Sequence, residues 1–359
     1  MKVLIDGLCL QQSGLGIRRC TNYLIDSYIK RYGKDNVKVI ISKVTGDEFY
    51  DYILYKGSKR YIVQFFVFHR FLRNIEFDLF HSPANTNYCF KVKGRFYVTT
   101  VHDIMYKVVP FFYSRNKFVN YLKVRLTDLY TYFSMKNSDL VISISETTRQ
   151  DLLIYFKKDS IVIPNGVVAL PNHNQKTHSF LEINNIPPKS YFLYVGSDKL
   201  HKNVDFLIRS FLRARTEKKL VICGFKRDNA IGFNGRIIFT GYITDGELSE
   251  LYKNADAFVF PSLYEGFGLP ILEALQYGIN VYSSNGGALK EFPDSLVSFF
   301  NPTNETELIS LIEQSNKHEV NKGVLSDYLS NFNWNVVLKK LQDVIARCYE
   351  EKLKTTPPR

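Results

Sequence analysis

The sequence predicts an α/β protein built from two facing doubly wound, Rossmann-like domains with a cleft between them. Short apolar runs alternate with longer amphipathic patterns, which is typical of parallel strands connected by helices. The alternation occurs in two series, and the polar segment between them contains Pro171, Pro187 and Pro188. With 359 residues, the chain is long enough for two domains that each bury a core.

The first series predicts an N-terminal domain over residues 1–170. Its strands are expected at 3–5, 38–41, 79–81, 97–101, 140–142 and 160–163. After a linker at 171–189, the second series predicts a domain over residues 190–333. Its strands are expected at 191–195, 220–223, 236–239, 257–260, 280–282 and 297–300. The C-terminal segment 334–359 is predicted to begin with a helix over 334–354.

The segment 261–275 carries the most informative pattern of the chain. It places Glu265 and Glu273 eight positions apart around a Gly-Phe-Gly loop that leads directly into a helix. Pro270 suits the first turn of that helix, because the N–H group that proline lacks has no intrahelical partner there. Gly278 is typical of the residue that follows a helix end. The segment therefore predicts a loop and a helix that each carry one carboxylate.

Loop glycines and a helix N-terminus suit an anionic ligand. Glycine lets the backbone approach a ligand closely, and the first turn of a helix presents N–H groups at a positive dipole end. Carboxylates hold sugars or ribose by accepting hydrogen bonds from hydroxyl groups. These properties together predict a ligand with both phosphate and hydroxyl groups. The alternative is a strand, turn and helix with two solvated glutamates, because charged side chains are mostly exposed.

Composition is ordinary for a globular protein, with 45% hydrophobic and 23% charged residues. The sequence has no run of eighteen apolar residues, and Asp6 interrupts the first apolar run too early for a signal peptide. We therefore expect a cytoplasmic protein. The five cysteines show no C-x-x-C spacing, so the sequence predicts neither a disulfide framework nor a zinc site.

The formal net charge of +12 favours an anionic partner. Between Phe111 and Phe133, basic residues such as Arg115 and Lys117 alternate with aromatic ones. This pattern is typical of a helix in a membrane interface, and the expected contacts are Phe112, Tyr113 and Lys117. An amphipathic core helix with a solvated basic face is the alternative. No RNP-like or zinc-finger pattern occurs, so we expect an anionic membrane surface and not a nucleic acid.

Several other segments support a family resemblance. Residues 101–104 read Val-His-Asp-Ile, 163–167 read Ile-Pro-Asn-Gly-Val, 194–197 read Tyr-Val-Gly-Ser, and 284–287 read Ser-Asn-Gly-Gly. Together with 261–275, and in this order along the chain, they resemble retaining glycosyltransferases of family 4. These are enzymes of the GT-B fold with an E-x7-E signature, here of the type found in bacterial surface-polysaccharide assembly. The resemblance covers nearly the whole chain.

The resemblance implies a role for each matching position. Glu265 is expected to hold hydroxyls of the donor sugar, His102 to contact that sugar, and Lys202 to stabilise charge on the departing diphosphate. Glu273 is expected to hold the ribose. The other expected donor-binding residues are Gly266, Phe267, Gly268, Leu269, Ser197, Gly14 and Gly16. The C-terminal helix is expected to pack back toward the N-terminal domain.

The chain departs from the family pattern at the second phosphate-binding cation. The family commonly carries an arginine beside or ahead of the lysine, whereas this chain has Ser197 after the glycine and a histidine before Lys202. The candidates for this cation are Arg227, His201 if it is protonated, and Arg18 or Arg19. The sequence contains no Asp-x-Asp pair of the kind that holds a hard cation, so we expect no metal and no cofactor.

The expected reaction is transfer of a glycosyl group from a nucleoside-diphosphate sugar with retention of configuration. GDP-mannose is the first expectation for the donor, followed by UDP- and dTDP-sugars. Basic charge and aromatic residues favour a lipid-linked saccharide acceptor at the inner face of the cell membrane, in O-antigen or capsule assembly. The alternatives are a sugar-nucleotide epimerase or phosphorylase on the same fold, and a non-catalytic protein that binds carbohydrate or membrane.

Overall fold

The computed structural model describes residues 1–11, 15–57, 61–85, 90–110, 112–114, 116–171, 180–183, 185–227, 235–314 and 321–355. The chain forms two compact units. One contains Met1–Gly166 together with Trp334–Arg359, and the other contains Val167–Asn333. Leu181 and Ile186, from the segment expected to be a linker, are buried in the core of the second unit.

The first unit is organised around a parallel sheet, of which seven strands lie in the described ranges. They are β1 (Val3–Asp6), β2 (Val37–Ile41), β3 (Asp51–Leu54), β4 (Leu79–Ser82), β5 (Phe96–Val101), β6 (Leu140–Ser143) and β7 (Ile161–Val162). Their order is β3-β2-β1-β4-β5-β6-β7. Six of these strands match the apolar runs of the first series. We did not predict β3, a four-residue edge strand whose residues are mostly exposed.

Helices cover both faces of this sheet. They are α1 (Leu15–Tyr32), α2 (Tyr61–Arg73), α3 (Met105–Val108), α4 (Lys117–Asn137) and α5 (Glu146–Phe156). Asn116 caps α4, since its side chain accepts hydrogen bonds from the first N–H groups of the helix. Ser145 caps α5 in the same way, through the N–H of Thr148. These caps fix where both helices leave the sheet edge.

The second unit is built on another parallel sheet, with six strands in the described ranges. They are β8 (Tyr191–Val195), β9 (Lys219–Cys223), β10 (Ile237–Gly241), β11 (Ala257–Phe260), β12 (Asn280–Ser284) and β13 (Ser298–Phe300). Their order is β10-β9-β8-β11-β12-β13. All six match the predicted runs of the second series, so the prediction of two doubly wound α/β domains is confirmed.

The strand order places β8 beside β11 at the centre of the second sheet. From this point the chain builds the sheet outward in one direction through β9 and β10 and in the other through β12 and β13. Ligands in open α/β sheets bind at such a switch point, beyond the carboxyl ends of the strands. The accompanying helices are α6 (Phe180–Ile183), α7 (Val204–Arg213), α8 (Asp245–Asn254), α9 (Leu269–Gln276), α10 (Glu305–Gln314) and α11 (Lys322–Ser330).

The last helix, α12 (Trp334–Thr355), belongs to the first unit. Its apolar face packs into the core that β1 and α1 also form, through Val337, Leu338, Leu341 and Ile345. Trp334 stacks on Tyr23 of α1 with 4.9 Å between the ring centroids. Of the helices in the described ranges, none combines the length and apolar character that crossing a bilayer requires.

Candidate functional site

The loop after β8 is tied to the loop after β11. Residues Leu200–Lys202 form a short 3-10 turn, and Asn203 follows in the left-handed region with φ 56°. The Asn203 side chain donates to the carbonyls of Pro261 at 3.2 Å and Pro302 at 2.9 Å. The N–H of Leu263 donates to the carbonyl of His201 at 2.7 Å. These bonds hold the Lys202 turn against the Glu265 loop.

Lys202 and Glu265 form an ion pair across these two loops. Nζ of Lys202 lies 2.6 Å from Oε1 of Glu265, and the side chains are only 17% and 13% exposed. The ammonium group also lies 5.2 Å from the centroid of the Phe260 ring. Because solvent is largely excluded here, the two charges attract each other more strongly than they would in a pair at the surface. Because the ammonium group has three N–H donors, an anionic ligand at Lys202 would either share it with Glu265 or compete with this pair.

Glycines of the loop after β12 allow the backbone to lie directly against Glu265. Gly287 has φ +64°, and a Cβ atom there would lie 2.5 Å from the carbonyl oxygen of Glu265. The next residue, Ala288, donates its N–H to that same carbonyl at 2.9 Å. A larger residue at position 287 would push the Glu265 loop away, and the positive φ also favours glycine. Both the close contact and the backbone conformation therefore explain the glycine at this position.

The helix predicted after the glutamate loop is present as α9. Gly268 precedes it with φ +111°, and a Cβ atom there would contact the rings and methyls of Phe292 and Leu289 at about 3 Å. Leu269 is the first helical residue, and Pro270 lies in the first turn as predicted. Gly266 is buried, and half-buried Phe267 packs against Phe332 with 5.9 Å between ring centroids. This backbone brings the helix N-terminus beside Glu265.

Glu273 lies one turn into α9 and has a hydrogen-bond donor that the sequence did not predict. The hydroxyl of Tyr252 on α8 donates to Oε2 of Glu273 at 3.2 Å. Burial and the neighbouring carboxylate raise the pKa of Tyr252 well above its usual value, so its hydroxyl stays protonated. Tyr252 stacks on Tyr277, whose own hydroxyl bonds to Ser249 at 2.8 Å. Helical spacing places Tyr252 toward the core but does not reveal this partner.

Two of the candidates for a second cation, His201 and Arg227, lie in the second unit, and neither is a free cation. Burial lowers the pKa of His201 to about 4, and the adjacent Lys202 charge acts in the same direction, so this imidazole is neutral at pH 7. It does not supply the positive charge that the sequence hypothesis allowed for. Arg227 keeps its charge but pairs with Asp198 at 2.6 Å and Asp205 at 2.7 Å. Within the described residues around this loop, Lys202 is therefore the cation nearest Glu265.

The loop after β8 also contains Ser197, which is half-buried. Its carbonyl oxygen accepts a hydrogen bond from the hydroxyl of Tyr194 at 3.1 Å. The Asp198 carboxylate that binds Arg227 is the next residue along the chain. Ser197 is thus bonded through its carbonyl to a buried tyrosine and is followed by the carboxylate that holds Arg227.

His102 is buried in the first unit, directly after β5. Its Nε2 lies 2.8 Å from the carbonyl oxygen of Pro83, so that nitrogen carries the proton and donates. The His102 N–H donates to the Asn85 side chain at 2.7 Å, and its carbonyl accepts from Thr148 at 3.2 Å. Burial lowers the pKa of His102, which keeps the ring neutral at pH 7. The ring is therefore locked in one orientation and one tautomer.

A small cavity of about 40 Å³ lies beside His102 in the first unit, and its lining includes Thr100, Asn165 and Trp334. Next to it, the buried His81 bonds to Tyr28 at 2.8 Å and Thr100 at 2.9 Å. Burial lowers the pKa of His81 to about 3. The sequence indicated His102 but not this neighbouring network, because its members come together only through the pairing of β4 with β5 and the packing of α1 on the sheet.

Two glycines of the first domain, Gly14 and Gly16, were also expected near the donor. Gly14 lies outside the described residues, and Gly16 lies exposed in the first turn of α1. Among the residues that the structure describes, no three or more His, Cys, Asp or Glu side chains cluster in a way that could hold a metal ion.

Two family models match the chain, and together they cover most of it. One is described as "Glycosyltransferase Family 4" and matches residues 21–169. The other is described as "Glycosyl transferases group 1" and matches residues 177–322. The second match contains the Lys202, Glu265 and Glu273 positions, and the first contains His102.

Curated relatives of the chain include bacterial O-antigen enzymes. It is 28% identical over 238 residues to "O-antigen chain mannosyltransferase B" of Escherichia coli, covering 61% of this chain and 60% of the relative. It is 26% identical over 244 residues to "O-antigen chain mannosyltransferase RfbU" of Salmonella typhimurium, covering 65% and 63%. The aligned part thus spans less than two thirds of either relative's length.

Solved structures share the fold. The Anabaena protein HepE, solved with UDP and glucose, superimposes with a TM-score of 0.72 at 16% identity, covering 97% of this chain and all of HepE. WaaG, described as a glycosyltransferase involved in lipopolysaccharide biosynthesis, superimposes with a TM-score of 0.69 at 15% identity, covering 96% and 99%. At such low identity these matches concern the fold alone. With both sheets, the E-x7-E segment and both family models in agreement, the chain belongs to the family 4 and group 1 glycosyltransferases.

Proposed function

We propose that the protein transfers a glycosyl group from a nucleoside-diphosphate sugar to a saccharide acceptor, with retention of configuration and without a metal ion. The observation that carries the proposal is the Lys202–Glu265 pair, 2.6 Å apart beyond the central strands of the second unit. A cation, a carboxylate and a helix N-terminus meet there, and these groups suit a diphosphate attached to a hydroxylated sugar. The resemblance and both family matches support the same reaction.

In the proposed reaction, the acceptor hydroxyl oxygen bonds to the anomeric carbon while the bond from that carbon to the diphosphate oxygen breaks. The acceptor proton passes to the departing phosphate oxygen. Lys202 stabilises the negative charge that grows on this oxygen. Glu265 holds donor-sugar hydroxyls and is not a nucleophile, in contrast to the second carboxylate of a retaining glycosidase. Backbone N–H groups from Gly266 to Leu269 complete the donor site.

Glu273 is proposed to hold the ribose of the donor. Its position one turn inside α9 separates it from Glu265 along the helix axis, which suits two parts of an elongated ligand. His102 is also proposed to contact the donor sugar. Its fixed orientation supports this role, because a ring held by Pro83 and kept neutral presents its other nitrogen as an acceptor.

The first proposal for the donor is GDP-mannose. The names of the curated relatives, O-antigen chain mannosyltransferases, support mannose. A UDP-sugar is the second candidate, since HepE was solved with UDP and glucose. A thermal-shift panel with GDP, UDP, dTDP and ADP, each with and without Mg²⁺, tests the base, because a ligand of the native state raises its stability. Mass spectrometry of the products then distinguishes a new glycosidic bond from an epimerised nucleotide sugar.

If one nucleotide stabilises the protein without Mg²⁺, and its mannose derivative is consumed to form a new glycoside, the proposal holds. An epimerised sugar nucleotide would replace it with the epimerase alternative. Stabilisation by none of the four nucleotides would contradict a nucleotide-sugar donor. A phosphorylase or a non-catalytic binding role would then be favoured.

We also propose that the acceptor is lipid-linked and that α4 contacts an anionic membrane. Exposed apolar residues lie along one side of this helix: Phe118, Val119, Tyr121, Leu122, Leu126, Leu129 and Tyr132. Exposed basic residues accompany them: Lys117, Lys123, Arg125 and Lys136. The opposite side is buried through Tyr130, Thr131, Ser134 and Met135. A basic and apolar outer face on a helix whose other face is packed suits binding in the plane of an interface.

The structure changes which residues of this region are expected to contact the membrane. Phe112 and Tyr113 were expected at the membrane, but both pack against buried residues of the first unit, and the Tyr113 hydroxyl bonds to Thr127. Phe111 and Arg115 lie outside the described residues. The strongest candidates are Phe118 and Tyr121, which are 70% and 59% exposed.

Sedimentation with vesicles tests this surface. We expect the wild type to bind vesicles that contain anionic lipid and to bind neutral ones much less. Replacing both Phe118 and Tyr121 by serine should lower anionic binding without changing thermal stability. A double serine variant of Val324 and Val336, exposed apolar residues on other helices, is the control. If the α4 variant and the control bind equally well, α4 is not the membrane contact.

A further inference from the structure

We propose that Tyr252 is a positioning residue for the nucleotide, which acts through Glu273 to set the orientation of the carboxylate that receives the ribose. The inference rests on the proposed function, because it needs Glu273 to be the ribose ligand. Nothing in the motif pattern indicates it, since Tyr252 lies 21 residues before Glu273. The structure brings the two together through the packing of α8 beside α9.

Tyr252 is held more rigidly than a surface tyrosine. Its side chain is fully buried in the core of the second unit. The ring stacks on Tyr277 at 5.6 Å with an interplanar angle of 10°, and it lies 5.6 Å from the tilted ring of Phe258. Closely packed aromatic neighbours leave such a ring one position. Its hydroxyl therefore presents a proton from a fixed point.

Glu273 accepts the hydrogen bond from this fixed hydroxyl, and its own side chain is long and can adopt several conformations. A half-buried glutamate has several rotamers, and ordering it costs conformational entropy. The bond from the Tyr252 hydroxyl to Oε2, at 3.2 Å, selects the rotamers that keep this contact. A carboxylate has about four acceptor positions, so accepting one bond from Tyr252 is compatible with accepting others from two ribose hydroxyls. Preorganisation of this kind increases affinity by lowering the cost of ordering.

The neighbouring Tyr277 provides a matched control. It belongs to the same ring stack, but its hydroxyl bonds to Ser249 and not to Glu273. Tyr252→Phe and Tyr277→Phe each remove one buried or half-buried hydroxyl and keep the aromatic ring. A merely structural contribution of a hydroxyl to the packing of α8 should therefore appear in both variants. An effect on ribose recognition should appear only in Tyr252→Phe.

The experiment measures the affinity of the full-length protein for four probes by calorimetry: GDP, UDP and their 2′,3′-dideoxy forms. We expect Tyr252→Phe to weaken binding of the ribonucleotide that the wild type prefers by about fivefold to tenfold, the effect of one ordinary hydrogen bond. Binding of its dideoxy form should not change. Tyr277→Phe should bind all probes like the wild type. In turnover, Tyr252→Phe should raise the KM for the donor and leave kcat nearly unchanged.

A variant in which Glu273→Gln is combined with Tyr252→Phe completes the test. If Tyr252 acts through Glu273, the second substitution should add little to the loss caused by the first. The inference is overturned if Tyr252→Phe binds the ribonucleotide like the wild type, if the dideoxy form loses as much affinity, or if Tyr277→Phe gives the same loss. A wild type that binds neither GDP nor UDP would overturn this inference, whereas the proposed transfer reaction is overturned only if none of the four nucleotides of the thermal-shift panel binds.

Discussion

The Lys202–Glu265 pair is expected to contribute to both stability and catalysis, and the two contributions can be separated. At 2.6 Å, two unit charges attract each other by about 6 kcal/mol when the effective dielectric constant is about 20. Desolvation of both groups cancels much of this attraction. Removing one partner nevertheless leaves the other buried and uncompensated. We therefore expect Lys202→Met to lower the free energy of unfolding of the second unit by about 2 to 4 kcal/mol.

The double variant Lys202→Met with Glu265→Gln removes both charges. It should recover more than half of the stability lost in Lys202→Met, because no unpaired charge remains buried. Activity should not recover, since a missing cation at the leaving group costs about 100-fold to 1,000-fold in turnover. Urea unfolding followed by circular dichroism gives the stability of each variant. Release of nucleoside diphosphate from the donor gives the turnover rate.

The outcome of this double-variant comparison decides the role of the pair. If Lys202→Met is as stable as the wild type, the pair does not form in solution. If the double variant regains activity together with stability, Lys202 acts only by supporting the fold, and the leaving-group assignment is wrong. Lys199, an exposed lysine at the start of the same turn, is the control position. Lys199→Met should change neither quantity by much.

Two further predictions concern backbone geometry and pH. Gly287→Ala should destabilise the second unit and lower turnover, because the added Cβ would lie 2.5 Å from the carbonyl oxygen of Glu265. Gly278 is the control, since it has a similar φ of +62° but open space around it. Gly278→Ala should cost only about 1 kcal/mol of stability and leave turnover unchanged. Equal effects in both would exclude the steric argument. Stability should also fall as the pH decreases from about 6.5 toward about 4, because the unfolded state protonates His201 at its ordinary pKa while the buried residue stays neutral until about 4. Each such histidine lowers the free energy of unfolding by about 1.4 kcal/mol per pH unit in this range. In urea titrations at pH 7, 6 and 5, the free energy of unfolding of His201→Gln should therefore decrease less than that of the wild type. Identical decreases in both proteins would contradict this role of His201.

Much of the fold could be predicted from the sequence, because buried parallel strands must be apolar on both faces. Residues Ala257–Phe260, for example, are buried at every position and were expected as a strand. The loop and helix of the E-x7-E segment could also be predicted from the sequence. The positive φ of Gly268 and the place of Pro270 in the first turn of α9 are local features of the backbone. The strand β3 was missed; it is a four-residue strand at the sheet edge, and its residues are mostly exposed.

Contacts between distant residues were decided only by the tertiary structure. Lys202 meets Glu265 over 63 positions, and Tyr252 meets Glu273 over 21, because separate helices and loops pack on one sheet. The exposed side of α4 likewise depends on which face the core covers, so composition indicated Phe112 where the structure exposes Phe118. By itself the sequence determined the two sheets and the family, and it indicated the candidate site residues, since local patterns and motifs carry them. Ionisation, pairing and exposure of those residues follow from burial, which exists only once the chain has folded.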